Sequence, residues 1–249
     1  LFSLLLVNYF SYAQQIAIGA RGGLSIPNLS SGGSNENPLN TGYSSRLGAD
    51  AALFAEFKFS ELFSLQPMIE YSSQGGKKNG FQALPTPPQM AALFPPGQAP
   101  LYLYADYKSE AKFNYLMIPV LAKFGWNFNK TSPLRVYADA GPFVGFLLSA
   151  KQVTSGNSPL YVDDKGQQEL PAGSQSFDNT QDIKDQIHKT NFGVEGNIGL
   201  NYRIDHASNL FIEGGFNYGF LNIQKGTANG KNNIGAATVT LGYSYWFKK

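Results

Sequence analysis

The stretch Thr240-Leu-Gly-Tyr-Ser-Tyr-Trp-Phe247 decides how the rest of the chain is read. Val239, Leu241, Tyr243, Tyr245 and Phe247 fall on one side of it, and Thr238, Thr240, Gly242 and Ser244 on the other. Alternation at period two is the mark of a β-strand that buries one face in apolar surroundings. Every second residue on the apolar side is large, and three of the five are aromatic. A single strand cannot hide such a face alone, so the pattern implies partners with the same alternation.

Seven further stretches supply them. In strand one Ile16, Ile18, Ala20 and Leu24 alternate with Ala17, Gly19, Arg21 and Gly23. Strand two sets Leu47, Ala49, Ala51, Leu53, Ala55, Phe57 and Phe59 against Arg46, Asp50, Glu56 and Lys58. Strand three sets Phe63, Leu65, Pro67, Ile69 and Tyr71 against Ser64, Gln66, Met68 and Glu70. Strand four opposes Leu116, Ile118, Val120, Ala122, Phe124 and Trp126 to Tyr115, Met117, Pro119, Leu121 and Lys123. Strand five opposes Val136, Ala138, Ala140, Val144, Phe146 and Leu148 to Arg135, Tyr137, Asp139, Gly141 and Ser149. Strand six does so with Phe192, Val194, Ile198, Leu200 and Tyr202 against Asn191, Glu195, Asn197, Asn201 and Arg203. Strand seven pairs Leu210, Ile212, Phe216, Tyr218 and Phe220 with Glu213, Asn217 and Gly219.

The links between strands alternate in length. Ser60 to Leu62, Asn127 to Pro133 and Asp205 to Asn209 are short; Ile26 to Tyr43, Gln74 to Ser109 and Gln152 to Ile187 are long, and Lys225 to Asn232 is intermediate. Short turns at one rim and long loops at the other are the habit of transmembrane β-barrels, the short side being periplasmic. An even strand number puts both ends of the barrel on that side.

Charge decides which face meets lipid. Arg21, Arg46, Lys58, Lys123, Arg135 and Arg203 share the polar face with Asp50, Glu56, Glu70, Asp139, Glu195 and Glu213. A charge facing lipid at mid-membrane costs about 2–4 kcal/mol, so these twelve point into the lumen. A soluble barrel with a greasy interior would invert the arrangement. The expected fold is an all-β, eight-stranded antiparallel up-and-down transmembrane barrel in the bacterial outer membrane. Phe57, Phe59, Phe124, Trp126, Tyr243 and Tyr245 would form its periplasmic girdle.

Composition agrees. In 249 residues only 14% are charged, against about 25% in soluble domains. There are 27 glycines, 19 Phe and 14 Tyr. Without cysteine, disulfides, thiolate metal sites and thiol nucleophiles are excluded. A formal charge of +2 is too small and dispersed for nucleic acid. Residues 1–13, with the apolar run Leu1-Phe-Ser-Leu-Leu-Leu-Val and the small-x-small triplet Ser11-Tyr-Ala13, read as a secretory signal truncated at its start. The barrel domain would then occupy residues 14–249, and the lipid bilayer is its first partner.

With strands and turns in place, the sequence resembles the Bacteroidetes-type outer-membrane β-barrel family, the PorT-like or porin-family proteins. The resemblance rests on Gly19-Ala-Arg-Gly-Gly-Leu24, on Leu65-Gln-Pro-Met-Ile-Glu-Tyr-Ser-Ser-Gln-Gly75 and on Asn114-Tyr-Leu-Met-Ile-Pro-Val-Leu-Ala-Lys-Phe124. Gly141-Pro-Phe-Val-Gly145 and the final strand complete it. Thr240, Gly242, Tyr245 and Phe247 resemble the C-terminal insertion signal that the barrel-assembly machinery reads. Where family members usually carry an acid, this chain has Met117, so an inward ion pair with Lys123 is expected to be missing. The resemblance implies location and fold more than activity; some members serve an outer-membrane secretion system.

The lumen charges have two readings: mutual pairing that fills a narrow barrel, or a conducting, ligand-gated lumen. The long link Gln74 to Ser109 holds Leu84-Pro-Thr-Pro-Pro88, Leu93-Phe-Pro-Pro96 and Leu101-Tyr-Leu-Tyr104. It would dock an extracellular protein or ligand, or fold back over the mouth with Leu101 to Tyr107 extending strand four. The link Gln152 to Ile187 gathers Asp163, Asp164, Glu169, Asp178, Asp182 and Asp185 without the spacing of an EF-hand loop, and reads as mobile, solvated charge. His188 and His206 lack a companion nucleophile motif. No cofactor, metal or catalytic residue is therefore expected. The function read from the chain is a non-enzymatic outer-membrane anchor presenting extracellular loops, with a narrow solute channel or a secretion-system component as alternatives.

Overall fold

A computed structural model of the protein describes residues 15–31, 37–39, 41–129, 131–226 and 230–247. The expected signal, residues 1–13, lies outside the described residues. Eight long strands, β1 (Gln15–Ser31), β2 (Gly48–Lys58), β3 (Phe63–Pro85), β4 (Tyr102–Asn127), β5 (Leu134–Ser155), β6 (Thr190–Arg203), β7 (Ser208–Gly219) and β8 (Asn232–Trp246), follow one another antiparallel. Each pairs with its neighbours in sequence, and β1 meets β8 to close the ring. Closure removes every sheet edge, the condition for carrying a backbone through hydrocarbon. Among the described residues no helix is long and apolar enough to cross a membrane.

The two faces follow the sequence alternation. Ile18, Leu53, Ile69, Leu148, Ile198, Ile212 and Leu241 are exposed on the outside, while Arg21, Asp50, Glu70, Asp139, Glu195 and Glu213 are buried inside. Aromatic rings gather at the short-turn rim, where Phe63 sits 5.9 Å from Phe59 and 5.2 Å from Phe124, and Tyr245 5.6 Å from Phe247. A second set, with Phe192 and Tyr218 each 6.0 Å from Phe220, marks the opposite rim. Three prolines interrupt the ladders of adjacent strands. Pairing lapses beside Pro67 at Ala55 and Glu56, beside Pro119 at Met68 and Ile69, and beside Pro142 at Val120 and Leu121. Proline donates no N–H, so each removes a rung.

The long link Gln74 to Ser109 is not a loop. β3 and β4 stay paired from Gln74↔Phe113 up to Pro85↔Tyr102, so only residues 86–101, with the short helix α1 (Pro88–Ala91), connect them. A crossing needs about 9–11 residues per strand; with 23 and 26 residues, β3 and β4 continue as a ribbon above the membrane. Gly75 marks the departure: its φ is +118°, and a Cβ would stand 2.0 Å from the Ala111 carbonyl.

The acid-rich link keeps most of its acids in water, as expected, but it is structured. Asn179–Asp182 adds to the edge of β5, Asn157–Ser158 pairs with Gln175–Ser176, and a single 3₁₀ turn covers Lys184–Gln186. Leu160 and Leu170 from this segment pack with Leu103, Ala105 and Tyr107 of the ribbon, and Leu84, Met90 and Phe94 lean on the same cluster. Scattered apolar residues between the acids supply this core, and a compositional reading averages them away. β1 likewise runs on to Ser31, past the loop start expected at Ile26.

Candidate functional site

The lumen is filled in layers. At its centre Arg21, brought inward by the period of β1, meets three carboxylates from three other strands: Glu70 at 2.6 Å, Glu195 at 2.7 Å and Glu213 at 2.9 Å. All four side chains are buried. Tyr137 donates to Glu213 Oε1 at 2.7 Å, and Thr240 donates to its Oε2 at 3.2 Å. Asp50 accepts from Ser72, and Asp139 accepts from the Asn197 amide, which also donates to Glu195. One guanidinium thus lies among five buried carboxylates, and one-to-one pairing of twelve charges does not describe it. Glu70 Oε1, Glu195 Oε2, Asp50 Oδ1 and Asp139 Oδ2 meet no protein donor.

Toward the short-turn rim Lys123 pairs with Glu56 at 3.1 Å and donates to Gln66 Oε1 at 3.0 Å, and Ser64 donates to Glu56. The ammonium also sits 4.0 Å from the centroid of the Tyr137 ring. Glu56 thus supplies Lys123 with a carboxylate that position 117 does not, while Met117 packs in an apolar cluster. Inward glycines make room for these rings: a Cβ at Gly199 would stand 2.2 Å from Tyr137, and one at Gly242 2.1 Å from Phe211. Alternating small and large residues is how a narrow barrel fills its interior.

Toward the long-loop rim the lumen turns apolar. Phe113, Tyr115, Phe143 and Leu147 of the wall close on Ile183, Ile187 and Ile223 from the loops. Sequence periodicity could not find this layer, because its lid comes from outside the strands. The remaining expected lumen charges lie nearer its two ends, with Lys58, Arg135 and Arg203 lining the short-turn mouth beside Glu56 and Lys123. Arg46 pairs with Glu110 at 2.7 Å and donates to the Gln74 carbonyl near the outer end. Lys58 reaches only the exposed Glu61, Arg135 donates to the Glu61 and Gly125 carbonyls, and Arg203 is solvent-facing at the short-turn rim. These three are anchors of the rim and take no part in the central cluster.

Outside the membrane band two carboxylates, Glu110 and Asp163, are held by local partners. Burial opposes ionisation of Glu110, yet Arg46 and Lys112 together hold it below the usual carboxylate range. Asp163 is held below its ordinary range too: desolvation opposes its ionisation, but it accepts from the backbone N–H groups of Gln167, Gln168 and Lys165, which together outweigh it. Among the described residues no group of three or more acids and histidines is placed to hold a metal. Neither His188 nor His206 has a side-chain hydrogen bond to Asp182 or Asp185; the backbone N–H of His188 donates to the Ile223 carbonyl.

No curated protein matches the chain. Among solved structures it is similar to Neisserial surface protein A (13% identity, 92% of this chain and 96% of that one, TM-score 0.41) and to OprG from Pseudomonas aeruginosa (12%, 94% and 96%, 0.40). It is also similar to Ail, the attachment invasion locus protein of Yersinia pestis (12%, 93% and 98%, 0.36). The profile of the outer membrane protein beta-barrel domain matches residues 12–225. Taken with the closed ring, the lipid-facing apolar belt and the buried lumen charges, that match identifies the chain as a member of the outer membrane protein β-barrel domain family, at home in the bacterial outer membrane.

Proposed function

We propose that the protein is a non-enzymatic anchor whose barrel holds a folded extracellular platform toward a partner or ligand. The observation that carries this reading is the lumen itself, closed by the Lys123 layer, the Arg21 cluster and the apolar lid of Ile183, Ile187 and Ile223 in succession. A barrel filled in this way leaves the β3–β4 ribbon and the segment packed on it as the surface available for work. The PorT-like resemblance belongs to this proposal, and so does reading of Thr240, Gly242, Tyr245 and Phe247 by the barrel-assembly machinery during insertion. Single-channel recording of the refolded barrel in a planar bilayer tests it. A silent, membrane-inserted barrel is expected; steady discrete openings would overturn the anchor in favour of a narrow solute channel.

A further inference from the structure

The cavity at the outer mouth of the barrel holds a buried ammonium with no carboxylate partner among the described residues. It encloses about 310 Å³ between the top of the wall and the loops, at the small end of ligand pockets. Its ionisable lining consists of Lys78, Tyr43 and Tyr107, with no carboxylate among the lining residues. Lys78 is only 8% exposed. Its ammonium donates to the Pro38 carbonyl at 3.1 Å and stands 5.4 Å from the Tyr43 ring centroid. It forms no ion pair among the described residues. An ammonium carries three donors, and a buried charge without a partner is costly.

What surrounds it is chemically specific. Gln181, Gln186 and Gln224 line the same cavity, the first two at its solvent-exposed side, and among the described residues their side-chain amides make no hydrogen bond to the protein. Phe113, Ile183 and Ile187 form an apolar floor below them. A charged head, neutral hydrogen-bonding sides and a greasy floor fit one kind of guest. We infer that this cavity binds a small organic monocarboxylate, its carboxylate on Lys78 and its short apolar body against the Phe113 floor. Charge-assisted hydrogen bonds of this sort are about twice as strong as neutral ones, and the guest would supply the counter-charge that the lining lacks. The inference stands apart from the loop-partner reading, since it concerns a small molecule in the mouth and not a protein on the ribbon.

Burial holds the Lys78 ammonium below the ordinary lysine range, and a bound carboxylate would raise it again. The burial of Tyr43 and Tyr107 pushes both phenols up, the latter to about 12, so they stay neutral while Lys78 titrates. Binding should therefore be full at neutral pH and lost as pH rises through the lysine range. Titration calorimetry of the refolded barrel with hexanoate, with hexanol as the neutral counterpart, reads the site directly. Hexanoate should bind saturably and hexanol about tenfold more weakly or worse; K78M should lose at least about tenfold in hexanoate affinity and K78R should keep most of it. K108M, a lysine outside the cavity, should bind like the wild type. Equal binding of hexanoate and hexanol, equal binding by K78M, or no saturable binding would each overturn the assignment. If K78M does not refold, the pH series on the wild type decides: hexanoate affinity that is flat from neutral to alkaline pH overturns it as well.

Discussion

Strands β3 and β4 pass through two environments, and the outward face of β4 changes character between them. Within the membrane the even-numbered face of β4, with Leu116, Ile118, Val120, Phe124 and Trp126, is apolar and outward. Above it the same face carries Asp106, Lys108, Glu110, Lys112 and Asn114. The odd-numbered face stays buried in both halves: Met117, Leu121 and Lys123 fill the lumen below, and Leu103, Ala105 and Tyr107 form a dry cluster above. The β3–β4 register runs unbroken between the halves, from Glu70↔Met117 to Pro85↔Tyr102, while the β4–β5 register shifts between Asn114 and Tyr115. One strand is a membrane strand in its lower half and a soluble-protein strand in its upper half. What changes is the solvent, lipid below and water above. The lower half adds charge and hydrogen bonds to the apolar packing of Phe54, Met68, Leu121 and Phe211 inside the lumen, and the upper half is held by apolar packing.

That contrast can be broken at either end, and the lumen end should break hardest. Replacing Arg21 by Met leaves Glu70, Glu195 and Glu213 facing one another in a buried space. Loss of one partner from a buried pair costs about 3–5 kcal/mol, and here three acids lose the same partner. The R21M barrel is expected to fail refolding or to shift its urea midpoint strongly downward, with R21K partly restoring it. A midpoint within error of the wild type would show that the central charges do not hold the barrel.

The ribbon end should fail locally. Leu103→Ala removes a fully buried side chain from the outer cluster, at a cost of about 2–5 kcal/mol to that unit. Limited proteolysis should then cut within residues 156–178 far faster than in the wild type, while the heat-modifiable mobility of the barrel on gels stays unchanged. Loss of the folded barrel band would mean that the two halves are not separable.

A smaller effect is expected in the rim-side layer. Lys123→Met leaves Glu56 with only Ser64 as a side-chain donor, and about 3 kcal/mol of barrel stability should be lost. The double variant K123M/E56Q removes the stranded charge and should recover most of it. Failure of that rescue in the urea midpoint would assign the loss to the cation–ring contact with Tyr137.

The smallest effect is electrostatic and lies above the membrane. Glu110 is held below its ordinary range, so its contribution is present above the unfolded carboxylate range and is lost as pH falls through its folded value. Acidification below about pH 4 should speed amide exchange around Arg46 and Glu110 before it touches the barrel strands. E110Q should remove that pH dependence and cost at most about 1 kcal/mol, since Glu110 is partly exposed.

The sequence is legible where one face meets lipid and the other cannot. There, a misplaced charge is so unfavourable that alternation is nearly perfect, and β2, β6 and β7 are found at the expected places with Asp50, Glu195 and Glu213 on the inner side. It is hardest to read above the membrane, where both faces of the ribbon mix polar and apolar residues and glycines at 75, 76 and 80 imitate a loop. Glu110, the partner of Arg46, was hidden in that stretch.

From the residues alone came strand number, the lipid-facing side and the address in the outer membrane, because a period of two and a ban on charge in hydrocarbon are local rules. Only the closed tertiary structure decided which charges meet. Arg21 gathers acids from β3, β6 and β7 that lie 49, 174 and 192 residues away, while Lys58, Arg135 and Arg203, identical in strand pattern, stop at the rim. Their depth along the barrel, and the loops that reach back over its mouth, depend on ring closure and shear, which no stretch of sequence carries by itself.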